Sequence, residues 1–360
     1  MVRIRPFEEG DTARLLAIEK LCPHGNEQCA VGVDKKSSIT ARYALYDNWN
    51  VLVAEEEDGA VGGWIGWTVK QSPMPPGPYV YLVEVMVHPD FRRKGVATTL
   101  VNEAEKHAQE NGSKHLYCYI YGPNDASKAL FEKLGYANMR VLKSCAVTAY
   151  KKAAIAENYT IERVTIRDIP AVVRLINEYN AGRAHFAPYT PEGFAAYLNG
   201  IPGYGLKQFW VAHEKEAEGT VVACAGLWDW SVLAEMCYTK EPRMWKVMRT
   251  LLGFWSLFGR MPRIPAEGEF FKVYFMTDHA FEPDHADAMS ALIGSFNNVV
   301  LGANRDFFVA NLDPDDPLVA VLKKFKPQID TWHIYAKALE PGGELPAFSP
   351  FYVDIRDCIL

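Results

Sequence analysis

The chain has 360 residues, of which 49% are hydrophobic and 23% charged, with a formal net charge of −6. That length and composition describe an ordinary globular protein with room for two domains, and they exclude a low-complexity or disordered chain. Residues 1–156 carry 19 Lys and Arg against 18 Asp and Glu, and the rest carry 19 against 26. The acidic second half argues against a nucleic-acid role and suits a cationic amine partner.

In chain order, the first ten residues place Glu8 and Glu9 where an export signal needs an apolar core, so no such signal is expected. Ile4 and Phe7 mark a short strand, Asp11 a helix cap, and Leu15 and Leu16 an amphipathic helix. Cys22 and Cys29 flank His24, but the fourth ligand of a metal site is missing. Ordinary thiols and no metal are expected. Residues 51–54 enter a hairpin with an acidic, solvated tip at residues 55–59, and residues 62–69 return from it.

The apolar run through Val83, Val85, Met86 and Val87 reads as a buried strand that His88-Pro89-Asp90 breaks. Arg92, Arg93, Lys94 and Gly95 follow, and a helix runs from about Val96 to Gln109 through Ala97 and Thr98. A strand, a basic glycine turn and a helix N-terminus make an anion cradle, because free amides and the helix dipole face outward together. The spacing is neither G-x-G-x-x-G nor G-x-x-x-x-G-K-S/T, so neither a dinucleotide nor an ATP site is indicated. A strand at residues 117–121, then Asn124, a helix over residues 128–134 and Gly135-Tyr136 complete the first half.

The second half echoes the first. Ile161, Val164, Asp168, Val172 and Val173 align with Ile4, Phe7, Asp11, Leu15 and Leu16. Residues 209–212, 221–228, 270–276 and 318–325 align with 51–54, 62–69, 81–87 and 128–134. The echo lacks the basic glycine turn, since Asp284 and Asp287 stand where a cradle needs cations. Residues 151–158 read as a linker between domains at 1–152 and 158–360. The apolar stretch at residues 244–258 is an insertion, broken by Lys246 and Arg249, and too charged to span a membrane. It is expected to be a core helix at the domain junction. Alternating strands and helices predict an α/β (α+β) fold.

Arg92-x-x-Gly95-x-Ala97 after Val-x-His-Pro, with Asn124 and the Phe131-Glu-Lys-Leu-Gly135-Tyr136 close, resembles the acyl-CoA loop and ending of the GNAT acetyltransferase superfamily. The resemblance covers about residues 1–150 well and 158–340 weakly. It implies two GNAT-like domains, each a mostly antiparallel mixed sheet flanked by helices, the second degenerate. It also implies that the fourth and fifth strands splay to admit pantetheine. The tandem arrangement resembles mycothiol synthase-like double-GNAT proteins, in which the C-terminal copy carries the chemistry. Here the intact loop lies in the N-terminal copy, and the mycothiol substrate is not carried over.

Carried onto this chain, the resemblance gives acetyl-CoA as co-substrate, held by the loop from Arg92 to Thr98, by Val85 and Val87, and by Asn124. The amide near Met86 would face the oxyanion. Glu84, a carboxylate in an otherwise apolar strand, is the candidate general base. The usual tyrosine acid is replaced by Phe131, and Tyr121 is a weak substitute; Cys118 reads as a buried thiol. The expected activity is a cytoplasmic N-acetyltransferase acting on an amine by direct attack in a ternary complex. The second half would serve acceptor recognition or a homodimer interface. The alternative is a non-catalytic acyl-CoA binder. A fragment ending near Lys152 is expected to keep CoA binding.

Overall fold

The computed structural model describes residues 2–216, 220–257, 261–340 and 342–357. The first half runs β1 (Arg3–Pro6), α1 (Thr12–Lys20), β2 (His24–Gly25), β3 (Ala30–Asp34), β4 (Trp49–Glu55), β5 (Val61–Pro73), β6 (Pro76–Val87), α2 (Val96–Glu110), β7 (His115–Tyr121), α3 (Asp125–Lys133) and β8 (Ala137–Thr148). The second runs β9 (Tyr159–Arg163), α4 (Ile169–Tyr179), α5 (Pro191–Gly200), β10 (Phe209–Glu214), β11 (Val221–Trp228), β12 (Glu235–Lys240), α6 (Arg243–Trp255), β13 (Val273–Phe281), α7 (Ala286–Gly302), β14 (Phe307–Leu312), α8 (Leu318–Leu322) and β15 (Gln328–Ala338). The aligned segments recur as β1/β9, β4/β10, β5/β11, β6/β13 and α3/α8, and β7 and β14 also correspond, which is the expected mixed, mostly antiparallel α/β architecture.

One feature departs from two separable sheets. All but three strands form a single sheet, ordered β1-β4-β5-β6-β7-β15-β8-β14-β13-β11-β10-β9. The last strand of each half has crossed into the other. β15 lies antiparallel to β7, from Trp332↔Tyr121 to Ala338↔His115, and β8 pairs with β14, from Phe307↔Thr148 to Leu312↔Lys143. A small sheet, β12-β3-β2, also joins the halves, with Glu235 opposite Asp34. The division at residues 152–158 is therefore a boundary in sequence, while the backbone ladder is continuous across it.

Alternation sets the layers. Leu116, Cys118 and Ile120 of β7 pack with Val96, Leu100, Val101 and Ala104 of α2 on one face. Tyr117 and Tyr121 face the other way, into a core shared with α1 and with α4 and α5 of the second half. Asp11 and Asp168 precede helices as expected, but their carboxylates turn back to the amides of Glu8 and Thr165 and cap neither helix. The stretch expected to be a core helix is α6, which buries none of its residues; Met244, Val247 and Leu251 are exposed.

Residues 345–357 run back under the first half. Phe348, Phe351 and Ile355 are buried there, and the Asp357 carboxylate accepts hydrogen bonds from Tyr46 (2.9 Å), Tyr117 (2.5 Å) and Lys70 (2.9 Å). Next to Phe348 and Phe351, His115 and His185 meet Nε2 to Nε2 at 3.0 Å, so one neutral ring donates to the other. Burial pushes His115 down to about 4; burial, then His115 and Lys70, push His185 down to about 3. In the unfolded chain both take up protons near pH 6.5. The stability these neutral rings contribute is thus complete above pH 6.5 and lost as pH falls toward 4, on the order of 3 kcal/mol for His115. Thermal unfolding followed from pH 7 to pH 4 should fall more steeply for the native protein than for a His115→Gln/His185→Gln variant. Parallel curves would remove the pair from the acid response.

Candidate functional site

β6 and β7 are hydrogen-bonded in parallel only from Val80↔Leu116 through Tyr81↔Tyr117 to Leu82↔Cys118. Beyond Leu82 they separate. The separation begins at a bulge, where Gly66 and Trp67 of β5 face Glu84 and Leu82, leaving Val83 as an extra residue. The cleft between the strands has a volume of about 80 Å³. Leu82, Glu84 and Val85 line it from β6, Tyr119 and Tyr121 from β7, and Asn124 and Phe131 from beyond.

Past the cleft, β6 ends in a single turn, Pro89–Phe91, in which the His88 side chain accepts the Asp90 amide at 3.2 Å. Arg93 and Gly95 both take left-handed backbone, at φ +61° and +83°. A Cβ on Gly95 would meet nothing within 4 Å, so backbone conformation favours glycine here, and the space above it is open. Gly95 caps the 15-residue α2, and no side chain satisfies the first amides. The N–H groups of Val96, Ala97 and Thr98 therefore point out of the helix end without a side-chain acceptor among the described residues. The Val96 side chain is buried in the core, so only its amide is available. Lys94 stands over the Phe91 ring at 5.0 Å. Arg92 turns back, giving Nε to the Val87 carbonyl at 3.1 Å and Nη2 to Cys22 Sγ at 3.4 Å; it braces the loop and occupies the Val87 carbonyl.

Glu84 is buried and bound to Lys35 Nζ, which also donates to Glu19 at 2.9 Å. Its other oxygen, Oε1, is buried, and the Tyr43 phenol, raised by burial and then by Glu84, faces the carboxylate. Burial works to raise Glu19, but the Lys35 ammonium and His24 outweigh it and hold that carboxyl at about 2. Lys35 is itself held above its ordinary value by the two carboxylates, against the pull of burial. One ammonium thus serves two carboxylates in a low-dielectric site. Sequence reasoning reached Glu84 but not Lys35, 49 residues away, nor His24, Arg42, Trp332 and Asp357, which also line the cleft.

Tyr121 lies 3.7 Å through its hydroxyl from Cys29 Sγ and packs its ring on Trp332. Burial, then Asp330 and Cys29, raise its phenol. Such a group donates a hydrogen bond to a thiolate but does not surrender its proton to one, whose own pKa is about 8–9. Asn124 caps α3, accepting the Ser127 amide at 3.2 Å, while lining the cleft. Phe131 packs edge-on against Tyr136. Burial raises the Cys118 thiol.

The corresponding place in the second half is built differently. β13 and β14 are paired from Val273↔Phe307 to Met276↔Ala310, and the hollow beyond is about 20 Å³, lined by Arg183, Asp316, Tyr352 and Val353. Arg183 and His279 both meet Asp316 at 3.1 Å. At the start of α7 the Asp287 carboxylate already takes the Ala288 amide at 3.0 Å.

Residues 24–136 match the acetyltransferase (GNAT) family model. A mycothiol acetyltransferase of Propionibacterium freudenreichii is 27% identical over 137 residues, 38% of this chain and 43% of that protein. The chain spans about half the length of the curated relatives it matches. Among solved structures, a GCN5-related N-acetyltransferase from Sphaerobacter thermophilus superposes with a TM-score of 0.63 at 14% identity, over 96% of this chain and 98% of that one. A tandem GNAT protein from the clavulanic acid biosynthesis pathway superposes with a TM-score of 0.59 at 12% identity, over 95% and 99%. The chain has the two-domain GNAT fold, and residues 24–136, which contain the cleft strands and the Gly95 loop, carry the match to the acetyltransferase family.

Proposed function

We propose that the protein is an acetyl-CoA-dependent N-acetyltransferase whose acyl-CoA site lies in its first half. The observation that carries this reading is the junction of the β6–β7 cleft with the uncapped N-terminus of α2 at Gly95. A strand gap that leads to free helix amides fits a thioester on a pyrophosphate-bearing arm. The amides of Val96, Ala97 and Thr98 with Arg93 and Lys94 would take the pyrophosphate, and Arg92 shapes their loop. The main chain of Val85 and the amide of Val87, whose carbonyl Arg92 takes, would line the arm with Asn124.

The chemistry asked of the chain is small. As the amine nitrogen bonds to the acyl carbon and the C–S bond breaks, one amine proton must leave. Glu84, the carboxylate that lines the cleft, would receive it through water. The Met86 amide, expected to face the oxyanion, instead points to β5, because the His88 bond to the Gly62 carbonyl makes Trp64↔Met86 a hydrogen-bonded pair. The Val85 amide, on the cleft side, would stabilise the oxyanion, and Tyr121 would donate a hydrogen bond to the departing thiolate. The second half would not bind acyl-CoA, because Asp287 and residues 352–353 occupy the corresponding places.

Calorimetric titration with acetyl-CoA should therefore give about one site per chain. A value near two would bring the second half into use, and no binding would remove the reading. CoA release across a panel of primary amines separates the enzyme from a non-catalytic acyl-CoA binder, which would bind without turnover.

A further inference from the structure

Tyr121 and Trp332 line the cleft on one side and a second, larger cavity of about 390 Å³ on the other. The two rings, 5.5 Å apart, form the partition between these spaces. The floor of the cavity is the central sheet, with Phe275 of β13 and Val309 of β14. Its cover comes from β12 and α6, through Tyr238, Trp245, Met248 and Leu252. Tyr238 holds Trp245 and Phe271 edge-on, with centroids at 5.2 and 4.7 Å. The helix that the sequence suggested was core covers this space with Trp245, Met248 and Leu252, while Met244, Val247, Leu251 and Trp255 are exposed on it.

Three charged side chains reach the cavity. Arg263 is taken up by Glu269 and Asp306, and Lys326 is exposed. Asp330, on β15 two residues before Trp332, has no ion pair or side-chain hydrogen bond among the described residues. Two apart on one strand, Asp330 and Trp332 share a face of β15, and both line the cavity together with Tyr121 and Tyr238. A half-buried carboxylate without a cation, set among aromatic rings, is incomplete. An ammonium supplies the missing charge, gains charge-assisted hydrogen bonds, and meets ring faces that favour cations.

We propose that this cavity is the acceptor pocket and takes a primary amine with a bulky apolar body, its ammonium head held by Asp330 beside the Tyr121–Trp332 partition. The word acceptor rests on the acyltransferase reading; the preference for apolar amines rests on the cavity alone. An α-amino acid is disfavoured, because its carboxylate would lie beside Asp330 or against apolar walls. A polyamine is disfavoured because its second ammonium would be buried without a partner.

The test is calorimetric titration of the full chain with tryptamine, tryptophol and tryptophan, which share one ring system and differ in head group. Tryptamine should bind about tenfold or more tighter than the other two. Asp330→Asn should abolish that preference while leaving tryptophol affinity unchanged. Leu252→Trp, which fills the cavity from the lid, should weaken binding of tryptamine and tryptophol alike. Acetyl-CoA titrations of the same samples show whether each variant is folded and whether the cleft is intact. Equal binding of amine and alcohol, a preference that survives Asp330→Asn, or no binding of tryptamine would each overturn the proposal. Acetyl-CoA binding without tryptamine binding removes the pocket and keeps the acyltransferase reading. Selective tryptamine binding without acetyl-CoA binding does the reverse.

Discussion

A fragment ending at Lys152 should fail to fold and should not bind acetyl-CoA, the reverse of what the linker composition suggests. Without β15, the edges of β7 and β8 lose the strand that pairs with both, from His115 to Tyr121 on one side and from Ala137 to Ala146 on the other. Asp357 is lost as well, leaving Lys70, Tyr46 and Tyr117 without their shared acceptor. Stranding one buried charge costs about 3–5 kcal/mol, against about 5–15 kcal/mol of total stability in a typical domain. Circular dichroism on heating should show no cooperative transition for the fragment. A soluble fragment with a sharp transition and full acetyl-CoA affinity would show that β15 is dispensable to the first half.

Glu84→Gln is expected to lower turnover by roughly 10²–10⁴ at neutral pH while acetyl-CoA affinity holds. The fold should survive, because Lys35 keeps Glu19 at 2.9 Å and the pair remains neutral. Glutamine preserves the shape of the side chain and removes only the proton acceptor. Part of the rate should return at higher pH, where more of the amine arrives deprotonated. The opposite pattern, a lower melting temperature with unchanged turnover, would make Glu84 a structural partner of Lys35 and nothing more.

Elements with a local signal were legible in the sequence. The strand before His88, the helix from Val96 and the return strand Val221–Trp228 carry their own apolar period and their own punctuation. Gly95 was legible for the same reason, since a basic turn before a helix points to a free N-terminus wherever the rest of the chain goes. Partners were not legible. Residues 328–338 had no assignment from the sequence, and the consecutive buried residues Ile334, Tyr335 and Ala336 do not say that the neighbour is β7 rather than β14. Glu84 stood out as a carboxylate among valines; that Lys35 answers it depends on how α1 and β3 pack under β5 and β6. The apolar residues of α6 misled because a lid over an aromatic cavity and a core helix draw on the same residue types.

The exchange of β8 and β15 also orders events during synthesis. When β7 has left the ribosome, the strand that completes its pairing, and without which the first half does not fold, lies about 200 residues downstream. At 5–20 residues per second that interval is roughly 10–40 s. Throughout it the edge of β7 is an open template, from His115 to Tyr121, on the half that carries the Gly95 loop. The nascent chain therefore has a window in which a holdase, or another copy of itself on the same message, competes with β15 for that edge, and slower translation of residues 158–327 lengthens it.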